Sequence, residues 1–327
     1  MTKEKKPKGF WSKLPKPFFA LAPMSDVTDV AFRNIIAKNG KPDVFWTEFV
    51  SCDGICSSGE EILLRDLEYS KEEKPIVAQI FSSNPDNVYK TVKIIKKLGF
   101  DGVDINMGCP DRSIEKQGAG ASLMKNPKLA VEIIQAAQEA SGDLPVSVKT
   151  RIGYDRDEID EWIPTLLETG LDALTVHART KKEMSSVPAN WNHITRVVKL
   201  ALNTKTIIIG NGDVKSLEDG YKKAKETGAE GIMVGRAIFG NPWFFNPNIS
   251  LEDIPIETRL NTLIEHTKIF DKKLGDIKNF AVMKKHFASY VVGFDGAKEL
   301  RMKLMGTNKV EEVEEVITTF LKKIKGI

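Results

Sequence analysis

A cysteine stands between glycine and proline just after an apolar run: Gly102-Val-Asp-Ile105 leads into Asn106-Met-Gly-Cys-Pro110. A thiol at Cys109 lies on irregular backbone that can reach a bound substrate. The amide of Asn106 can hydrogen-bond the edge of a ring. Gly118 and Gly120 follow, in a loop able to move or to approach a ligand closely. An inert buried thiol is the plain alternative, and the neighbouring Asn106 argues against it.

Seven other apolar runs end in polar or glycine-rich residues. In order with the first, the ends read Pro23-Met24, Thr47-Glu48, Gln79, Asn106 with Cys109, Lys149-Thr-Arg151, His177-Ala-Arg179, Asn211-Gly-Asp213 and Gly235-Arg236. Polar and cationic groups that converge on one rim are too costly to be core filling. Gly212 and Gly235 permit close backbone approach and Arg236 adds a charged clamp, which suits a phosphate. Lys149 can supply a fixed cation at the edge of a bound cofactor, and Gln79 can donate and accept along the same edge. Lys149 and Arg151 as surface charges, or His177 as a structural histidine, are the bland alternatives. Glu48 either orients a loop or touches substrate.

The elements that must position these groups follow from the spacing. The runs Phe18–Ala22, Val44–Trp46, Ile76–Ile80, Gly102–Ile105, Val146–Val148, Ala173–Val176, Thr206–Ile209 and Gly231–Val234 leave room for one helix between each pair. Asn84-Pro85, Asn126-Pro127 and Ser216 are helix starts, and Gly99, Gly142 and Gly228 are stops. Apolar strands alternating with amphipathic helices eight times over predict an α/β protein, a (β/α)8 TIM barrel, over residues 17–247. Functional groups in such barrels project from the C-terminal strand ends. Asn246 to Ser250 reads as a linker. Beyond it only helical periodicity remains, as in Val310, Val313, Ile317, Phe320, Leu321 and Ile324, so residues 253–327 are expected to form a small helical bundle.

Composition narrows the class. Hydrophobic content of 41% and charged content of 28% fit a soluble globular chain, with no apolar run long enough to span a bilayer and no signal core. Three cysteines make neither a disulfide framework nor a zinc pattern, so no metal is expected. Cys52 and Cys56 read as small packing residues, and the protein as reduced and cytoplasmic. The net charge of +3 is unevenly spread. Residues 1–16, read as a basic N-terminal tail, hold Lys3, Lys5, Lys6, Lys8, Lys13 and Lys16 against Glu4. Residues 278–309 hold Lys278, Lys284, Lys285, Lys298, Arg301, Lys303 and Lys309 against Asp295 and Glu299. Either segment can be a solvated face or the footprint of a polyanion.

At these residues the chain resembles the tRNA-dihydrouridine synthases, a family of FMN-dependent enzymes. The matching blocks are Ala22-Pro-Met-Ser-Asp-Val-Thr-Asp29, Thr47-Glu48-Phe49, Asp104-Ile-Asn-Met-Gly-Cys-Pro110, Gly118-Ala-Gly-Ala121, Ser147-Val-Lys-Thr-Arg-Ile-Gly153, Val176-His-Ala-Arg-Thr180, Gly210-Asn-Gly-Asp213 and Gly231-Ile-Met-Val-Gly-Arg236. The resemblance implies FMN contacts, without a covalent link, at Pro23, Met24, Ser25, Gln79, Lys149, His177, Asn211, Gly212, Asp213, Gly235 and Arg236. It implies that Cys109 is the catalytic acid, with Asn106 and Arg179 near flavin and uracil, and Arg151 at the neighbouring strand end is a further candidate for substrate contact. The implied reaction saturates the C5–C6 bond of a tRNA uridine: NADPH reduces FMN, hydride passes from flavin N5 to C6, and Cys109 gives a proton to C5. Lys284, Lys285, Lys298 and Arg301 would hold tRNA phosphates, and a monomer is expected. The chain departs from the family in Glu183-Met-Ser-Ser-Val-Pro-Ala-Asn-Trp191, where a tyrosine-glycine segment is usual. Rival classes are a free-pyrimidine flavoenzyme of the dihydroorotate dehydrogenase kind, a Schiff-base barrel using Lys149, and a non-catalytic RNA-binding barrel.

Overall fold

The computed structural model describes residues 7–326, so Lys3, Lys5 and Lys6 of the basic segment lie outside the described residues. Eight parallel strands form one sheet: β1 (Phe18–Leu21), β2 (Phe45–Ser51), β3 (Ile76–Phe81), β4 (Gly102–Met107), β5 (Val146–Arg151), β6 (Ala173–His177), β7 (Ile207–Asn211) and β8 (Gly231–Val234). From β2 to β8 each strand pairs with its sequence neighbours, and β1 pairs with β8. A parallel bridge between Ala20 and Val44 joins β1 to the start of β2 and closes the ring. The strands are buried nearly throughout, which is why they read as apolar runs rather than alternating ones.

The helix punctuation holds at all three starts. Asn84 caps Pro85–Lys97, Asn126 caps Pro127–Ser141 and Ser216 caps Leu217–Thr227, each accepting a backbone N–H with its side chain. Strands run further than the apolar runs. β4 continues to Met107, β5 to Arg151, β6 to His177 and β7 to Asn211, because a backbone ladder persists whatever side chains it carries. β2 differs most: it begins at Phe45 and extends to Ser51, with a register shift between Trp46 and Phe49 when paired with β3. Thr47 and Glu48 occupy that bulge, and the Thr47 hydroxyl accepts from the backbone N–H of Gln79 at 3.1 Å.

Residues 7–16 are not a tail. Gly9–Lys13 forms a 3-10 turn, and Trp11, only 1% exposed, packs its ring 5.8 Å from Phe18 and 5.9 Å from Trp46 at the N-terminal ends of β1 and β2. Lys8 donates to the carbonyl of Gly142 at 2.9 Å, and Lys16 pairs with Glu230 just ahead of β8. These two lysines lie at the N-terminal mouth of the barrel. A cleft of about 1290 Å³ lined by Lys16, Leu202, Lys205 and Glu230 opens at that same mouth, at the other end of the strands from the predicted chemistry. The expectation for the cysteines holds for Cys52, which is buried. Cys56 is exposed, because the helix Cys52–Ile55 ends one turn after it begins.

The chain divides into two compact units. One contains all eight strands and runs up to Pro23, through Pro42–Glu68 and Lys74–Gly235. The other takes Met24–Lys41, Tyr69–Glu73 and the chain from Arg236 onward. The expected bundle helices are present at Ile256–Leu274, Met283–Tyr290, Ala297–Met305 and Val310–Lys325. The helix Val30–Asn39, first after β1 in sequence, belongs with them. Its Phe32 ring stacks on His266 at 5.0 Å, and its Arg33 makes a fully buried ion pair with Glu73. His266 and His286 face each other at 4.5 Å, and burial pushes the pKa of both imidazoles down, that of His286 to about 3. Both therefore stay neutral at ordinary pH.

Candidate active site

The strand register builds the rim. Asn106 lies beside Lys149, and Arg151, His177 and Asn211 form a lateral row across β5, β6 and β7. The predicted groups of the barrel unit thus come together at the C-terminal strand ends, as the sequence spacing requires.

Cys109 follows β4 in a loop pinned from several sides. The Asn106 side-chain oxygen accepts from the backbone N–H of Gly108 at 3.1 Å and of Cys109 at 2.9 Å. The Cys109 carbonyl accepts from Ala121 N–H at 3.0 Å. Gly120, at φ +61°, lies so close to this loop that a Cβ there would meet the Cys109 carbonyl oxygen at 2.9 Å. Burial raises the thiol pKa above 9.0 and the Asp111 charge adds to that, opposed by the Asp111 backbone N–H and by Lys149 and Arg151. Cys109 is therefore a neutral thiol near pH 7, a form that carries a proton to give rather than a thiolate's lone pair.

Arg151, expected to touch substrate, is buried and engaged by backbone. Its Nε donates to Gly108 O at 2.8 Å and its Nη1 to Thr180 O at 3.1 Å. Arg179 is likewise committed: Nε donates to Val187 O at 2.6 Å, Nη1 lies 3.0 Å from His177 Nε2, and Nη2 pairs with Asp213. Guanidinium only donates, so His177 Nε2 must accept, which puts the imidazole proton on Nδ1. Asp213, at φ +47°, also accepts from Ala189 N–H at 2.9 Å. The Asn211 amide donates to Met233 O at 2.9 Å, tying β7 to β8.

Lys149 is mostly enclosed. Desolvation lowers its pKa to about 8, with the Arg151 charge adding to the shift and Asp104 opposing it. Asp104 is fully buried on β4 and accepts from Gln79 Nε2 at 2.6 Å and from the Ser147 hydroxyl at 2.6 Å. Gln79 in turn accepts from Asn106 Nδ2 at 3.0 Å. Sequence reading gave Asp104 and Ser147 no role, although a carboxylate within the apolar Gly102–Ile105 run was a signal. It also gave none to Trp191, whose indole donates to Gly212 O at 2.9 Å and fixes the turn after β7.

Of the remaining predicted residues, Pro23 is buried in the barrel unit and Gly235 follows β8. Met24, Ser25 and Arg236 fall in the second unit, where Arg236 opens a short 3-10 turn. Lys284, Lys285, Lys298 and Arg301 belong to that unit too. Lys298 and Lys285 are exposed, Lys285 lying 3.4 Å from Asp26, and Lys284 is half-buried. Arg301 donates to Val291 O at 2.6 Å, which makes it part of the bundle's own framework. No group of three or more metal-ligating side chains occurs among the described residues, and none of their helices is long and apolar enough to cross a membrane.

Comparison with known proteins agrees with this architecture. The chain is similar in fold to histamine dehydrogenase from Rhizobium sp. 4-9 (TM-score 0.56, 13% identity, 77% of this chain and 48% of that one). It is also similar in fold to morphinone reductase (TM-score 0.52, 13% identity, 77% and 89%). Both likenesses concern the fold alone. In sequence, a probable tRNA-dihydrouridine synthase 2 of Bacillus subtilis strain 168 is 40% identical over 323 residues, covering 96% of this chain and 97% of that protein. A probable tRNA-dihydrouridine synthase of Staphylococcus aureus strain MRSA252 is 39% identical over 320 residues, 95% of each. The sequence model of the dihydrouridine synthases matches residues 20–325. The chain belongs to the dihydrouridine synthase family.

Proposed function

We propose that this protein is a tRNA-dihydrouridine synthase that saturates the C5–C6 bond of a uridine in tRNA, with FMN as cofactor and NADPH as reductant. The observation that carries the reading is Cys109: an un-ionised thiol on a loop whose backbone is held by Asn106, Arg151 and Ala121, beside a rim of hydrogen-bond donors. The relatives named as probable tRNA-dihydrouridine synthases support the substrate.

The residues present fit a flavin. Lys149 offers a cation, and Gln79 and Asn106 each keep one amide hydrogen beyond those bonded to the described residues. Gly212, at φ +126°, packs so closely that a Cβ there would meet Ala189 at 2.8 Å, which keeps the turn after β7 free of a side chain. Pro23, Met24, Ser25, His177, Asn211, Asp213, Gly235 and Arg236 complete the proposed FMN set. Bound FMN, reduced by NADPH, would supply the hydride that goes to C6.

The chain's own residues do the rest. Cys109 Sγ gives its proton to C5, and Lys149 and Asn106 stabilise negative charge that develops on the uracil carbonyls. C5 and C6 are out of reach in a stacked helix, so the uridine must leave its stack. Lys284, Lys285 and Lys298 hold phosphates of the tRNA. The test is nucleoside analysis of unmodified tRNA incubated with the purified protein and NADPH, together with chromatography of the released cofactor. Dihydrouridine and FMN are expected. A protein that cannot be loaded with flavin, or tRNA left without dihydrouridine, would overturn the reading.

A further inference from the structure

Four side chains on adjacent strands form a single chain of hydrogen bonds. The Ser147 hydroxyl and Gln79 Nε2 both donate to Asp104, each at 2.6 Å. Gln79 Oε1 accepts from Asn106 Nδ2 at 3.0 Å, and Asn106 Oδ1 accepts the N–H groups of Gly108 and Cys109 at 3.1 and 2.9 Å. All four side chains are buried.

The two ends of this chain have fixed chemistry. A carboxylate only accepts, and a backbone N–H only donates. Two primary amides lie between them, and one arrangement alone satisfies every link. Reversing Gln79 would set its oxygen against the Asp104 carboxylate and its NH2 against the NH2 of Asn106. Both contacts would be repulsive in a buried site.

We infer that Asp104 is a positioning residue that sets the direction of this relay, so that Asn106 faces the site as a hydrogen-bond donor only and holds the Cys109 loop. The Asn106 oxygen is already filled by two N–H groups, and one hydrogen on Nδ2 remains. The ligand atom it meets must be an acceptor, such as a carbonyl oxygen or an unprotonated ring nitrogen, and an amino group is rejected. The consequence for catalysis rests on Cys109 being the acid, as proposed above.

The test uses the full-length protein and the variants Asp104→Ala and Asp104→Asn. Asparagine keeps an oxygen for Gln79 Nε2 and can give its NH2 to the Ser147 hydroxyl, so it preserves the polarity without the charge. The first readout needs no ligand: the side-chain amide resonances of Gln79 and Asn106, assigned through Gln79→Ala and Asn106→Ala. They should shift in Asp104→Ala, including Asn106 one link beyond Gln79, and stay near wild type in Asp104→Asn. The second readout separates the half-reactions. Asp104→Ala should slow dihydrouridine formation about a hundredfold, the scale of a misplaced catalytic group, while flavin reduction by NADPH is retained. Asp104→Asn should recover most of the loss. An unmoved Asn106 resonance in Asp104→Ala overturns the inference. So does an equal defect in the two variants, which would point to charge, or an equal loss of both half-reactions, which would point to folding. Failure of the wild-type protein to act on tRNA would count against the proposed function alone, since the amide spectra would still decide the relay.

Discussion

Arg151 Nε reaches the carbonyl oxygen of Gly108 at 2.8 Å, so the residue before Cys109 is tied across to the end of the next strand. The same guanidinium holds Thr180 O in the loop after β6. Its Nη1 also donates to Met184 O at 3.4 Å, so one buried cation couples the thiol loop to the segment that departs from the family pattern.

Replacing Arg151 with methionine should release that tie. A hydrogen bond to a charged group contributes about 1.5–3 kcal/mol, and leaving the Gly108 and Thr180 carbonyls unsatisfied adds to the loss. Thermal unfolding should fall by several degrees, and dihydrouridine formation should fall more than flavin content. A variant with wild-type melting and turnover would show that the loop stands without Arg151.

Cys109→Ala should leave flavin reduction by NADPH intact and slow uridine reduction about a hundred- to ten-thousand-fold, the usual worth of a positioned acid. Burial raises the thiol pKa, so alkylation of Cys109 by iodoacetamide should be slower at pH 7 than that of a free cysteine and should still be climbing with pH where a free thiol has levelled off. Fast alkylation at pH 7 would mean a thiolate, which is unsuited to donating a proton.

Asp104 makes a stability prediction with a definite sign. Burial raises its pKa from 3.8 to about 6, more than the Ser147 and Gln79 hydrogen bonds and the Lys149 charge lower it. A raised native pKa means that the stability tied to protonation is complete below the unfolded value and is lost as pH rises from there through about 6. That displacement corresponds to roughly 3 kcal/mol by neutral pH. Asp104→Asn lacks this titration. In urea unfolding from pH 4 to pH 7, the variant should gain on the wild type as pH rises. A constant difference across that range would contradict the assignment.

Lys284 and Lys298 should contribute to tRNA binding and to nothing in the barrel. Replacing both with alanine should weaken all tRNA substrates alike and flatten the salt dependence by about one unit for each lysine that no longer meets a phosphate. Flavin content and NADPH oxidation should stay unchanged. An unaltered salt slope would place the docking surface elsewhere.

The barrel was legible because its strands are buried on both sides and punctuated by residues with one structural meaning, such as Asn84, Asn126 and Ser216. The rim was legible because polar residues at the ends of apolar runs are too costly to desolvate as mere filling. What escaped depended on partners distant in sequence. Trp11 looked like part of a basic tail until Trp46 and Phe18 were seen to enclose it. Nothing local marks Val30–Asn39 as a partner of the C-terminal helices; that follows from Phe32 meeting His266 and His286. Arg151 and Arg179 are expected near the ligand from strand-end position and family resemblance, but their ties to backbone carbonyls and, for Arg179, to Asp213 depend on segments that only the fold brings together. Asp104 acquires meaning only when β3, β4 and β5 are side by side.

The burial of Trp11 bears on how the protein can be handled. The described chain enters the barrel at the mouth that Trp11 helps to close, while Cys109 follows the opposite end of β4. An affinity handle, a bead linkage or a fusion partner joined ahead of Pro7 is therefore attached on the side away from the thiol.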